Sequence, residues 1–87
     1  MQADKSDVLR RLATIEGHLR GIRKMVEEDA YCVDILRQTR AVKGALDRLD
    51  QTLLRRHLAI CVPDGIKNGR EEQVLRELED LFGLTAQ

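Results

Sequence analysis

The fold is decided by the stretch from Tyr31 to Val62, YCVDILRQTRAVKGALDRLDQTLLRRHLAICV. No glycine–proline break interrupts it, and its apolar residues fall into two interleaved rows. Ile35, Val42 and Leu49 form one; Leu46, Leu53 and Ile60 form the other, headed by Cys32 and Thr39. A seven-residue spacing of this kind predicts one amphipathic helix over residues 31–62. At ~1.5 Å rise per residue that helix is roughly 45 Å long. It is too long for an isolated chain of 87 residues, so it must pack along a second copy or a partner.

Upstream, Ser6 and Asp7 carry an N-terminal capping signal. Val8, Leu12, Ile15, Leu19, Ile22 and Val26 then follow alternating spacings of four and three, which predicts a helix over about 6–28. It runs out at Glu27-Glu28-Asp29, where acids crowd an end that favours cations. Downstream, Pro63-Asp64-Gly65 and Asn68-Gly69 predict a turn region. Pro63 disfavours helical geometry at Val62, so an abrupt end or a kink is expected there. A third amphipathic helix is expected over about 70–84, with Val74, Leu75, Leu78, Leu81 and Phe82 on its apolar face. The predicted class is all-α: three helices in a single domain over residues 1–87, completing a bundle by association.

Composition agrees. Hydrophobic residues make up 43% of the chain, yet there is one Phe, one Tyr and no Trp, so the core is aliphatic. The N-terminal MQADKSDVLRR has no apolar run of the secretory type, and no window approaches the ~20 apolar residues of a membrane span. The expected location is the cytoplasm, where thiols bind metal, react or sit buried more often than they cross-link. No phosphate loop, paired carboxylates or activated serine arrangement suggests an enzyme. Net charge is zero but uneven. Residues 5–24 and 37–56 each carry six cations against two carboxylates, and the segment from Asp64 onward has six acids against three bases. Two basic segments permit an anionic partner, although on charge alone solvated helix faces explain them better.

His57 and Cys61 stand four apart and emerge on one face of the second helix. The pair is either half of a metal site or a core thiol beside a helix-face histidine. Cys32 offers a third donor, but along an unbroken helix it lies ~40 Å from Cys61. Antiparallel pairing of two copies of this helix removes the obstacle. Its midpoint falls at Gly44-Ala45, small residues that allow close approach, and it brings Cys32 of one chain to His57 and Cys61 of the other. Two thiolates and an imidazole form a soft set suited to Cu(I); Zn(II) would want a fourth ligand.

The segments RLATIEGHLRGI (11–22), MVEEDAYCVDILRQ (25–38), AVKGAL (41–46) and HLAICV (57–62) resemble the copper-sensitive operon repressor (CsoR-type) family. Cys32, His57 and Cys61 coincide with that family's ligand positions. The resemblance implies an antiparallel four-helix-bundle dimer assembling into a dimer-of-dimers homotetramer. It implies an apo form that binds double-stranded operator DNA and represses copper-resistance genes, and a Cu(I) form that releases it. Tyr31 and Glu77 fall where the family places a network to the second nitrogen of His57. Arg11 and Arg48 fall on its DNA-contacting positions. Lys5, Arg10, Arg37, Arg55 and Arg56 are further basic positions that solvated surfaces also explain.

Three departures stand out. His18 replaces the usual glutamine and reads as a neutral surface or groove residue, with DNA contact or an extra ligand as the other options. Ala13-Thr14 occupy positions often basic in the family, and Pro63 follows Cys61-Val62 directly. Two rival functions remain open: a thiol-reactivity sensor of the same fold, and a copper-buffering bundle with no DNA role.

Overall fold

The computed structural model describes residues 5–84. Helix α1 spans Lys5–Glu27 and α2 spans Cys32–Arg56; a π-helical turn, His57–Cys61, follows directly, then α3, Val62–Lys67, and α4, Glu71–Leu81. No strand occurs among the described residues. The chain divides into two compact units, residues 1–53 and 54–87.

In the first unit α1 and α2 pack antiparallel. Arg11 and Ile15 share a depression with Ala45 and Arg48, whereas His18, further along α1, meets Gln38, further back along α2. The core between them is Val8, Ile15 and Ile22 against Val42 and Leu49, flanked by Ile35, Ala45 and Leu53. Only every seventh residue of α1 is therefore buried. The alternate positions Leu12, Leu19 and Val26 are 37%, 50% and 55% exposed, and Leu46 of the second α2 row is 46% exposed. Two helices meet along one seam, so the second row of α1, and Leu46 in that of α2, stay uncovered.

The acids at the end of α1 adopt a Schellman motif. Asp29 takes the left-handed conformation at φ 55°; its N–H reaches the Val26 carbonyl at 3.1 Å, and the Ala30 N–H reaches Met25 at 2.9 Å. Both bonds satisfy carbonyls that the helix end would otherwise orphan. The motif favours glycine, and an aspartate holds the position here.

The second unit corrects the sequence reading at Pro63. Instead of a break, the backbone passes through the proline in helical geometry: Val62 sits at φ −65°, ψ −52°, and α3 occupies the expected Pro63-Asp64-Gly65 turn. Pro63 stands in the first turn of α3, where a missing N–H costs little. In a regular α-helix its ring would crowd the carbonyl four residues back, that of Ala59, and Ala59 lies in the wider π turn. The true turn is at Asn68-Gly69, where Gly69 at φ 75° closes a second Schellman motif through Gly69 N–H to Ile66 and Arg70 N–H to Gly65. There α3 folds back on α4 so closely that a Cβ on Gly65 would lie 2.5 Å from Val74 Cγ2. The third helix expected over 70–84 is α4. Its Val74 is buried and Leu78 half-buried, while Leu75, Leu81 and Phe82 are exposed.

Two substitutions test these backbone assignments by urea denaturation. Asp29→Gly, which relieves the left-handed conformation, is expected to stabilise the protein by about 1 kcal/mol. Gly65→Ala, which overpacks the α3–α4 contact, is expected to destabilise it by about 1–3 kcal/mol.

Candidate metal centre and nucleic-acid interface

Cys32 is the first residue of α2. Its thiol is exposed, as is the ring of Tyr31 before it. The Tyr31 carbonyl accepts the N–H groups of Asp34 and Ile35 at 3.0 and 3.2 Å, so the backbone at Tyr31 starts the helix while both side chains stay outward. This pair belongs to the first unit.

His57 and Cys61 belong to the second unit and bound the π turn, which the Val62 N–H closes onto the His57 carbonyl. π turns recur at functional sites because they offset side chains from the regular helical register. Cys61 is exposed. His57 is half-buried, and its Nε2 is fully buried without a hydrogen-bond partner. An orphaned buried nitrogen costs about 1–3 kcal/mol. His57 lines an open depression with Glu77, Asp80 and Leu81 of α4. Glu77 Oε2 accepts a hydrogen bond from Gln73 Nε2 at 3.4 Å. Sequence reasoning missed Asp80, although its spacing of three from Glu77 places both on one face of α4. Among the described residues no three His, Cys, Asp or Glu side chains gather into a metal-sized group.

A second feature lies within the first unit. Arg10, Arg11 and Thr14 of α1 line an open depression with Ile15, Ala45 and Arg48. It unites the two arginines singled out for DNA, Arg11 and Arg48, although they are 37 positions apart in sequence. Asp7 bonds to both Arg10 and Arg11, the latter through Nε to Oδ2 at 3.0 Å. The hydrogen bond from Arg11, then that from Arg10, holds the Asp7 carboxyl below the usual carboxylate range. Thr14, read as a loss of basic charge, donates its hydroxyl to the Arg10 carbonyl at 3.1 Å.

Residues 4–83 match the model of the metal-sensitive transcriptional repressors. The chain belongs to that family. It is 48% identical over 79 residues to the copper-sensing transcriptional repressor CsoR of Bacillus subtilis, covering 91% of this chain and 78% of the relative. The crystal structure of the copper-sensing repressor CsoR with Cu(I) from Geobacillus thermodenitrificans is similar at a TM-score of 0.88 and 42% identity, over 95% of this chain and 86% of that one. The nickel-responsive transcriptional regulator InrS is similar at 0.75 and 37%, over 95% and 93%. No helix among the described residues of this family member is long and apolar enough to cross a membrane.

His18, its departure in α1, lies half-buried with Nε2 2.7 Å from Gln38 Oε1. The amide oxygen accepts, so Nε2 carries the proton, and the bond ties α1 to α2 beside the core. His18→Ala is expected to lower stability by about 1 kcal/mol in thermal or urea unfolding, and to leave metal stoichiometry unchanged in titration.

Proposed function

We propose that this chain is a Cu(I)-responsive transcriptional repressor in which residues 1–87 act as one sensor domain in the cytoplasm. Its apo form binds double-stranded operator DNA, and Cu(I) binding releases it and derepresses copper-resistance genes. The observation that carries the reading is the divided donor set. Cys32 presents an exposed thiol at the head of α2, and His57 and Cys61 bound the π turn. The described residues of one chain assemble no three-ligand group. In this reading donors of two chains complete the site, with Cys32 of one chain joining His57 and Cys61 of another. The uncovered rows at Leu12, Leu19, Val26 and Leu46 supply an apolar surface for that antiparallel four-helix dimer, and two dimers make the tetramer.

The residues fit the ion. Two thiolates and an imidazole are a soft, low-number set favouring Cu(I) over harder divalent ions, and the names of the relatives point the same way. Bound Cu(I) supplies a centre that only deprotonated thiols and a neutral imidazole hold, so affinity falls as pH drops. His57 has two ring nitrogens with separate tasks. One serves as the ligand and the other as the hydrogen-bonding partner of Glu77 on α4, a division supported by the buried, partnerless Nε2 and by the depression that His57 shares with Glu77. With Tyr31, that contact links occupancy of the site to the position of α4. If the metal-bound arrangement disfavours DNA, copper and operator weaken each other by the same factor. The depression of Arg11 and Arg48 provides the phosphate-contacting face.

The similarity to a nickel-responsive regulator and the exposure of both thiols favour two second readings, nickel sensing and thiol-reactivity sensing. Anaerobic titration of the reduced protein with Cu(I), followed by thiolate-to-copper absorption, separates them. One Cu(I) per chain is expected, lost in Cys32→Ala; a site that survives that change excludes donation from Cys32. His57→Ala is expected to retain Cu(I) on two thiolates yet stay on the operator in gel shifts. Full release of that variant by copper would refute the link through His57. A wild-type protein that binds copper but never shifts its own promoter would indicate buffering.

A further inference from the structure

The basic depression holds three arginines, and two are already engaged. Asp7 receives a hydrogen bond from Arg10 and a second from Arg11 Nε at 3.0 Å. The Arg11 side chain is 39% exposed and Asp7 34%, against 75% for Arg10. Arg48, across the depression on α2, has no ion pair with Asp7. A carboxylate receiving two guanidinium donors presents them with the same charge-assisted acceptor oxygens that a phosphodiester offers. The spacing explains the placement: Arg10 and Arg11 are three and four residues after Asp7, so all three meet on one helix face.

We propose that Asp7 is a built-in competitor for the DNA phosphate, so that duplex binding must displace its carboxylate from Arg10 and Arg11. This rests on the reading of Arg11 and Arg48 as the DNA face and adds a residue that sets how strongly that face binds. An arginine already paired gains less on meeting a phosphate, because one charge-assisted contact is exchanged for another. The freed carboxylate also stands near the DNA with like charge and gathers a cation from solution, which subtracts from the counterions released by the duplex. Asp7 thereby restrains the sequence-independent part of binding, the part that phosphate contacts dominate.

The contrary role is equally specific: a carboxylate that orients Arg11 for the phosphate would strengthen binding. Fluorescence anisotropy distinguishes them, with a labelled duplex carrying the promoter of the protein's own gene, poly(dI-dC) as the non-specific duplex, and the full-length apo protein across a series of salt concentrations. Asp7→Asn is expected to bind both duplexes roughly two- to fivefold more tightly, the range of an exposed ion pair, and to steepen the dependence of log K on log salt by about one. Asp7→Ser, which removes the carboxylate but keeps a short polar side chain in the first turn of α1, is expected to do the same; circular dichroism checks that both variants are folded. Unchanged or weaker binding by the folded variants overturns the competitor role. Arg48→Ala separates the two claims. If it weakens binding while the Asp7 variants do not tighten it, the DNA face stands and the competitor falls. If it changes nothing, or if neither wild type nor the Asp7 variants bind either duplex, both fall.

Discussion

Two packed helices share a single apolar seam, and in this chain that seam consists of every seventh residue. Val8, Ile15 and Ile22 meet Val42 and Leu49, with Ile35 and Leu53 half-buried alongside. Burying each such side chain contributes about 1.5–3 kcal/mol, so the contact sets the antiparallel register of α1 and α2. Everything else in the first unit follows from that register. It sets His18 against Gln38 and brings Arg11 to Arg48 in one depression. It also leaves Leu12, Leu19, Val26 and Leu46 without cover. The uncovered row is the physical ground for the proposed association, since a seam of two helices satisfies only half of a two-row pattern.

The second unit depends on a different constraint. A proline cannot donate a backbone hydrogen bond, and its ring crowds the carbonyl four residues before it in a regular helix. Here the chain meets that demand by widening one turn ahead of Pro63, and the widened turn is bounded by His57 and Cys61. The proline that suggested a break instead accompanies a local change of helical register at the proposed ligands. The return of α4 over α3 then relies on Gly65, whose missing side chain lets Val74 approach. That return sets Glu77 and Asp80 beside the imidazole. The proposed ligand His57, with its buried and partnerless Nε2, thereby shares one depression with two carboxylates of α4.

Much of the fold was legible in the sequence because heptad spacing is a local property. The expected helix over 6–28 appears as Lys5–Glu27, and the third helix appears as Glu71–Leu81, shorter at its end. The long central helix was legible too, apart from its last turns. Proline rules of thumb describe an α-helix, and the π turn evades them; no spacing of apolar residues announces that. The site was legible only in part. The i, i+4 pair of His57 and Cys61 is a local pattern, and Glu77 and Asp80 are another. Their mutual approach depends on a turn at Gly69 and a close contact at Gly65, which act across the intervening chain. Asp7 reads in sequence as a helix-capping acid, and its hold on two arginines emerges only once side chains are placed.

By itself the sequence determined the all-helical class, the aliphatic core rows, the soft donor types and the family. These follow from residue chemistry and from periodicity along one chain. Tertiary structure alone decided which apolar row is buried, because that choice is made where two helices touch. It also decided that Arg11 and Arg48 share one depression, that His18 spans two helices, and that Val62, expected to leave helical geometry before Pro63, keeps it. In each case the deciding contact joins residues distant in sequence or a hydrogen-bond register that composition does not encode.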